Sequence, residues 1–224
     1  MLADYQTLTD NLVRDDAGKL TPVERDLAII AAVNRYSKDR PRVKVEDIAS
    51  PGGNTLPLPV GWVDGFSTLN SLEYPLGKVP PEHLETGAWG MYNAPAGWQV
   101  MVRETLASGA VVRAGYTVWH VLGVATDTLP ETDREAVASY AAALLLDQLA
   151  SLYSGDSDST ISADSVQHQS KASEFAARAR VLRKRYFDDL GIDTKRNAAA
   201  GAVVNLDLAS SLGRDRLTHP RRFR

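Results

Sequence analysis

Cysteine is absent from the 224 residues, which excludes a disulfide framework and any thiolate metal site. No apolar run reaches the roughly 18 positions of a membrane-spanning helix, so no span is expected. Met1-Leu2-Ala3-Asp4-Tyr5 has neither the basic start nor the apolar run of a secretory leader. The expectation is an intracellular protein. Histidine is scarce: His83, His120, His168 and His219 lie far apart, and none has the i, i+4 partner of a helical zinc site. His120 beside Trp119 is expected to be structural, His168 to make a polar or capping contact, and the other two to lie in loops. Glycine-rich phosphate cradles and the Gly-x-Ser-x-Gly elbow are also missing. Asp156-Ser157-Asp158-Ser159-Thr160 imitates the start of a calcium loop but lacks its central Gly and closing Glu. It reads instead as a linker whose side chains satisfy local backbone groups. No catalytic, cofactor-binding or metal-ligating residue is expected; an enzyme would need a cleft joining Asp164 and His168.

What is present is uneven. Residues 171–224 hold 13 Lys and Arg against 6 Asp and Glu, a balance of +7, and residues 1–170 hold 12 against 22, a balance of −10. Such a chain can meet partners of opposite sign at its two ends.

Two helical stretches organise the chain. Glu131–Tyr153 consists almost wholly of helix formers. Val137, Ala141, Leu144, Leu145, Gln148 and Leu152 keep a helical period, and Leu146 and Leu149 widen the apolar face beyond one stripe. A second helix, closed by Gly191, carries Phe175, Ala179, Leu182, Tyr186 and Leu190 on one stripe, with Arg178, Arg180, Arg183, Lys184 and Arg185 around it. Ahead of them, Tyr5, Leu8 and Leu12 suit one face of a short lead. Thr21-Pro22-Val23-Glu24 is a capping box with Pro at the first helical position. The helix it opens should run to about Ser37 with Leu27, Ile30, Ala31 and Asn34 toward a core.

Between these helices, residues 42–125 turn to Pro, Gly, Val, Trp and Tyr. Strands are expected at Arg42–Ile48, Thr55–Val63 (an edge), Gly65–Pro75, Met91–Asn93, Trp98–Arg103, Ala110–Ala114 and Tyr116–Val121, with a turn at Pro95-Ala96-Gly97. The fold class is therefore α+β: a small antiparallel helix bundle made of residues 1–41 and 126–191, an inserted all-β module at 42–125, and an extended C-terminal arm at 192–224. Trp62, Trp89, Trp98 and Trp119 are read as core of the small sheets. A surface- or carbohydrate-binding module would instead need all four exposed in one groove.

Leu145-Leu146-Asp147-Gln148-Leu149-Ala150-Ser151-Leu152-Tyr153, then Ser157 to Val166, then Ser170-Lys171-Ala172-Ser173-Glu174-Phe175-Ala176-Ala177-Arg178-Ala179-Arg180 resembles the signature of head-to-tail adaptor proteins of tailed bacteriophages. The resemblance is best over residues 126–191. It implies a virion neck protein made in the host cytoplasm, with no enzymatic activity, cofactor or membrane. Its subunits would form a closed ring of about twelve copies under the portal protein. Packaged DNA would pass through the centre without specific contacts, and a head-closure or tail protein would follow below. Carried onto this chain, the docking elements would be the basic helix and the arm, through Phe175, Arg178, Leu182, Arg185, Tyr186, Arg214, Arg216, Arg221, Arg222 and Phe223. The alternative within the same setting is a head-closure or tail-completion protein further along the neck.

Overall fold

A computed structural model describes residues 1–15, 17–154 and 171–193. Among the described residues the fold is α+β, with helices before and after six strands. Helix α1 spans Leu2–Val13 and α2 spans Pro22–Asp39. The strands are β1 (Arg42–Ala49), β2 (Gly53–Leu56), β3 (Leu69–Glu73), β4 (Trp89–Ala94), β5 (Gly97–Leu106) and β6 (Val111–Val118). A 3-10 turn at Glu131–Asp133 leads into α3 (Arg134–Tyr153), and α4 spans Lys171–Asp189.

The capping box forms as its residues dictate. Thr21 Oγ1 accepts from the Glu24 amide, and Glu24 Oε2 accepts from the Thr21 amide at 2.7 Å. Helix α3 is the centre of the bundle and touches α1, α2 and α4. Ala138, Ala141, Ala142, Ala143, Leu146 and Leu149 are all fully buried along it, because alanine lets neighbouring helices approach from several sides. By length and composition alone, Glu131–Tyr153 is long and apolar enough to cross a membrane, although no unbroken apolar run of that length occurs in it. Here more than half of it is buried, against α1, α2 and α4. Contacts between α3 and α4 run in opposite senses: Phe175 stacks on Tyr153, Arg183 pairs with Asp147, Tyr186 meets Tyr140, and Arg185 reaches Glu135. The pair is antiparallel, as expected.

Two expectations about faces and strands are corrected. Helix α2 buries Ala28, Ile29, Ala32, Val33 and Tyr36, whereas Leu27, Ile30, Ala31 and Asn34 are exposed. The run Leu27–Val33 is apolar without interruption, so periodicity alone cannot choose a face. Small Ala28 and Ala32 suit close approach to an alanine-rich neighbour, and the Tyr36 hydroxyl finds an acceptor only on the inward side. In the β module, the segments read as two strands at Ala110–Ala114 and Tyr116–Val121 are one strand, β6. Gly115 sits in its middle, where a Cβ would lie 2.6 Å from Ser71 Oγ. The segments read from Thr55 and Gly65 are shorter than expected, since Pro57 and Pro59 stop β2 and Val63–Ser67 is a hydrogen-bonded turn.

The strands form two antiparallel three-stranded sheets, ordered β1-β6-β3 and β2-β5-β4. Ile48, Leu72, Val112 and Ala114 from the first share a core with Leu56, Val100, Val102 and Leu106 from the second. Glu46 on β1 ties this module together. It accepts from Tyr116 Oη at 2.7 Å and from the Val60 amide at 2.8 Å, with Lys44 Nζ at 3.3 Å. The Tyr116 hydrogen bond, then that of Val60, hold its carboxyl down at about 2, against an ordinary 4.5. A folded pKa below the unfolded one means stability that is complete above about 4.5 and lost as pH falls toward about 2. Urea unfolding between pH 6 and pH 2.5 should therefore show a shallower acid loss for Glu46→Gln than for the wild type. Equal slopes would show that Glu46 is not the group responsible.

Candidate interaction surfaces

Each of the five docking candidates on α4 has a partner within the bundle, Arg185 at its exposed surface. Phe175 stacks on Tyr153 with ring centroids 5.5 Å apart, and Leu182 packs against the cluster around Leu145, Leu146 and Leu149. Arg178 donates to the carbonyls of Leu12 and Val13, at 3.1 and 3.2 Å, and so satisfies the C-terminal end of α1. Arg185 pairs with Glu135 and Asp189. Tyr186 is fully buried and donates to Asp39 Oδ2 at 2.7 Å; burial, then that hydrogen bond, push its hydroxyl far above the ordinary tyrosine value. Arg214, Arg216, Arg221, Arg222 and Phe223 lie outside the described residues, as do Asp164, His168, His219 and the Asp156–Thr160 stretch.

The chain enters and leaves the β module at one polar junction that sequence reasoning missed. Asp133, almost fully buried, accepts from Tyr36 Oη at 2.7 Å and from Arg40 Nη1 at 2.8 Å. The other Arg40 nitrogen donates to the Leu190 carbonyl, fastening the end of α4. Burial opposes the Asp133 charge. The hydrogen bonds from Tyr36 and Thr132 and the Arg40 charge outweigh it, so the carboxyl stays below its ordinary range. Burial, then the bond to Asp133, push Tyr36 up to about 12.

His120 lies just past β6 rather than within a strand. Its ring nitrogens sit 2.9 Å from the Thr128 carbonyl and 3.0 Å from the Arg40 carbonyl, and its ring meets Tyr36 edge-on at 5.0 Å. The ring thus cross-links the two segments that join module to bundle. Nothing local in the sequence signals this junction, because its partners stand far apart along the chain.

Among the described residues, the exposed apolar side chains include two neighbouring sets. On α2, Val23, Leu27 and Ile30 are 67%, 59% and 52% exposed, one after another along the outer side. On the β4–β5 hairpin, Met91, Tyr92, Trp98 and Met101 are 39–49% exposed. Of the four tryptophans, Trp98 alone is exposed. Trp62 stacks on Tyr116, Trp119 stacks on Phe66, and Trp89 packs half-buried on the module core. A groove lined by all four is therefore not formed. Among the described residues, no group of three or more His, Asp or Glu is placed to hold a metal ion. Compared with models of known protein families and with curated proteins, the sequence matches none.

Proposed function

We propose that the chain is a structural subunit of a tailed-phage neck, a head-to-tail adaptor that forms a ring beneath the portal and continues the DNA channel. The observation that carries this reading is the outer face of α2. Residues Leu27 to Asn34 contain no charge, and Val23, Leu27 and Ile30 stand well out of the bundle on successive turns. Single exposed apolar residues are ordinary on a protein surface. A continuous stripe about 12 Å long, on a helix whose opposite face is already packed, marks a contact with another chain. Repeated around a closed symmetry, a modest contact of this size sums to a strong assembly. The antiparallel α3–α4 pair, which holds the placed part of the adaptor-like stretch, supports the same reading.

Native mass spectrometry of the full chain, with and without its candidate portal ring, tests it. About twelve copies should load on the portal. Leu27→Asp/Ile30→Asp, both at exposed positions, should keep its helical circular dichroism and fail to load. A chain that ignores the portal in every form would contradict the adaptor reading and favour a head-closure or tail-completion component. A variant truncated after Gly191 separates the contribution of the arm from that of α2.

A further inference from the structure

The two sheets have four outer strands, and three of them carry protection against pairing with another chain. Strand β1 bears Arg42, Lys44, Glu46 and Asp47 along its edge. Strand β3 is covered: the Tyr74 amide donates to the Glu82 carbonyl at 3.0 Å, and the Leu84 amide donates to the Leu72 carbonyl at 2.8 Å. Strand β2 has four residues, a register break between Gly53 and Thr55, and two prolines just beyond it. Charges, covering segments, short length and irregularity are the usual devices that blunt a sheet edge.

Strand β4 has none of them. It is uncharged, its register with β5 is unbroken from Trp89↔Val102 to Ala94↔Gly97, and none of its six residues is buried. Among the described residues, no backbone group pairs with its outer side. Met91 and Trp98 flank it on one face of the sheet, and Tyr92 and Met101 on the other, all exposed.

We propose that the free edge of β4 pairs antiparallel with β4 of a second copy about a two-fold axis, merging two three-stranded sheets into one of six strands. The strand is compatible with itself. Among the described strands of six or more residues it alone lacks a charge, so opposing it to its own copy sets no like charges together. Pairing centred on Met91, whose backbone amide and carbonyl face away from β5, places Met91 across from the second copy's Met91, and Gly90 across from its Tyr92. Met91 then meets its symmetry mate on one face, and Tyr92 covers the second copy's Gly90 on the other. Six residues a side make a contact smaller than the roughly 1,200 Å² of a stable interface, so the dimer is a weak one that forms as concentration rises. The inference rests on the sheet edges alone and does not depend on the adaptor reading.

Sedimentation velocity of the full chain across the micromolar range, with amide exchange read at residues 89–94, tests it. Monomer should give way to dimer as concentration rises, and protection should grow in β4. Met91→Lys/Tyr92→Lys should weaken the dimer at least tenfold, whereas Val43→Lys/Val45→Lys on β1 should leave it unchanged. A chain that stays monomeric throughout would overturn the proposal. So would a dimer that survives Met91→Lys/Tyr92→Lys and disappears in Leu27→Asp/Ile30→Asp.

Discussion

Replacing Leu146 with alanine is expected to destabilise the chain by about 3 kcal/mol, within the usual span for a buried leucine. Leu146 is fully buried and packs with Val13, Ala28, Leu145 and Leu149 at the point where α1 and α2 meet α3. Part of the loss is the transfer of three carbons back toward water, about 0.8 kcal/mol for each. The remainder is the cavity. Alanines on neighbouring turns hold the helices at a fixed spacing and have no side-chain length with which to fill the gap. Leu144→Ala, a half-buried position on the same helix, should cost about half as much. Urea unfolding followed by circular dichroism gives both values. A loss for Leu146→Ala below about 1 kcal/mol would mean that α3 is not the centre of the bundle.

Asp133→Ala should be the second large effect, at about 2–3 kcal/mol. Arg40 is half exposed and can turn its freed nitrogen to water. Tyr36 cannot, because it is 1% exposed and its hydroxyl points at the missing carboxylate. Leaving a buried hydroxyl without an acceptor costs about 1–3 kcal/mol, and lost support at the start of α3 adds to it. The mechanism makes a further claim: with Tyr36→Phe already present, Asp133→Ala should cost about 1 kcal/mol less, since no orphaned hydroxyl remains. Strict additivity in that double-mutant cycle would rule out the Tyr36–Asp133 hydrogen bond as the source. Amide exchange should quicken at residues 119–129 and at the end of α2, where the β module joins the bundle.

Much of the fold was legible because its signals are local. The Thr21–Glu24 capping box, Gly191 with its positive φ, the turn at Pro95-Ala96 and the single stripe on α4 each lie within one turn or one helix. The face of α2 was not legible. Leu27–Val33 offers two apolar faces, and the choice belongs to α3 and Asp133, about a hundred residues further along. The docking candidates on α4 show the same limit. A basic, amphipathic α4 is visible in the sequence, but that Arg178 closes the end of α1 depends on a contact across 166 residues. The same ambiguity that hid the face of α2 is the signal that could have revealed its outer surface. An unbroken apolar run on a helix already capped and packed on one side has more apolar surface than one interface can use.

If the outer face of α2 is a contact between chains in the assembled neck, carbene footprinting of Val23, Leu27 and Ile30 should register it. The labelling is compared between the free chain and the complex with its candidate portal ring. All three residues should label strongly in the free chain, and Leu27 and Ile30 should be protected once the ring has formed. Equal labelling in both states, in a complex shown by mass to contain the ring, would rule out α2 as the contact.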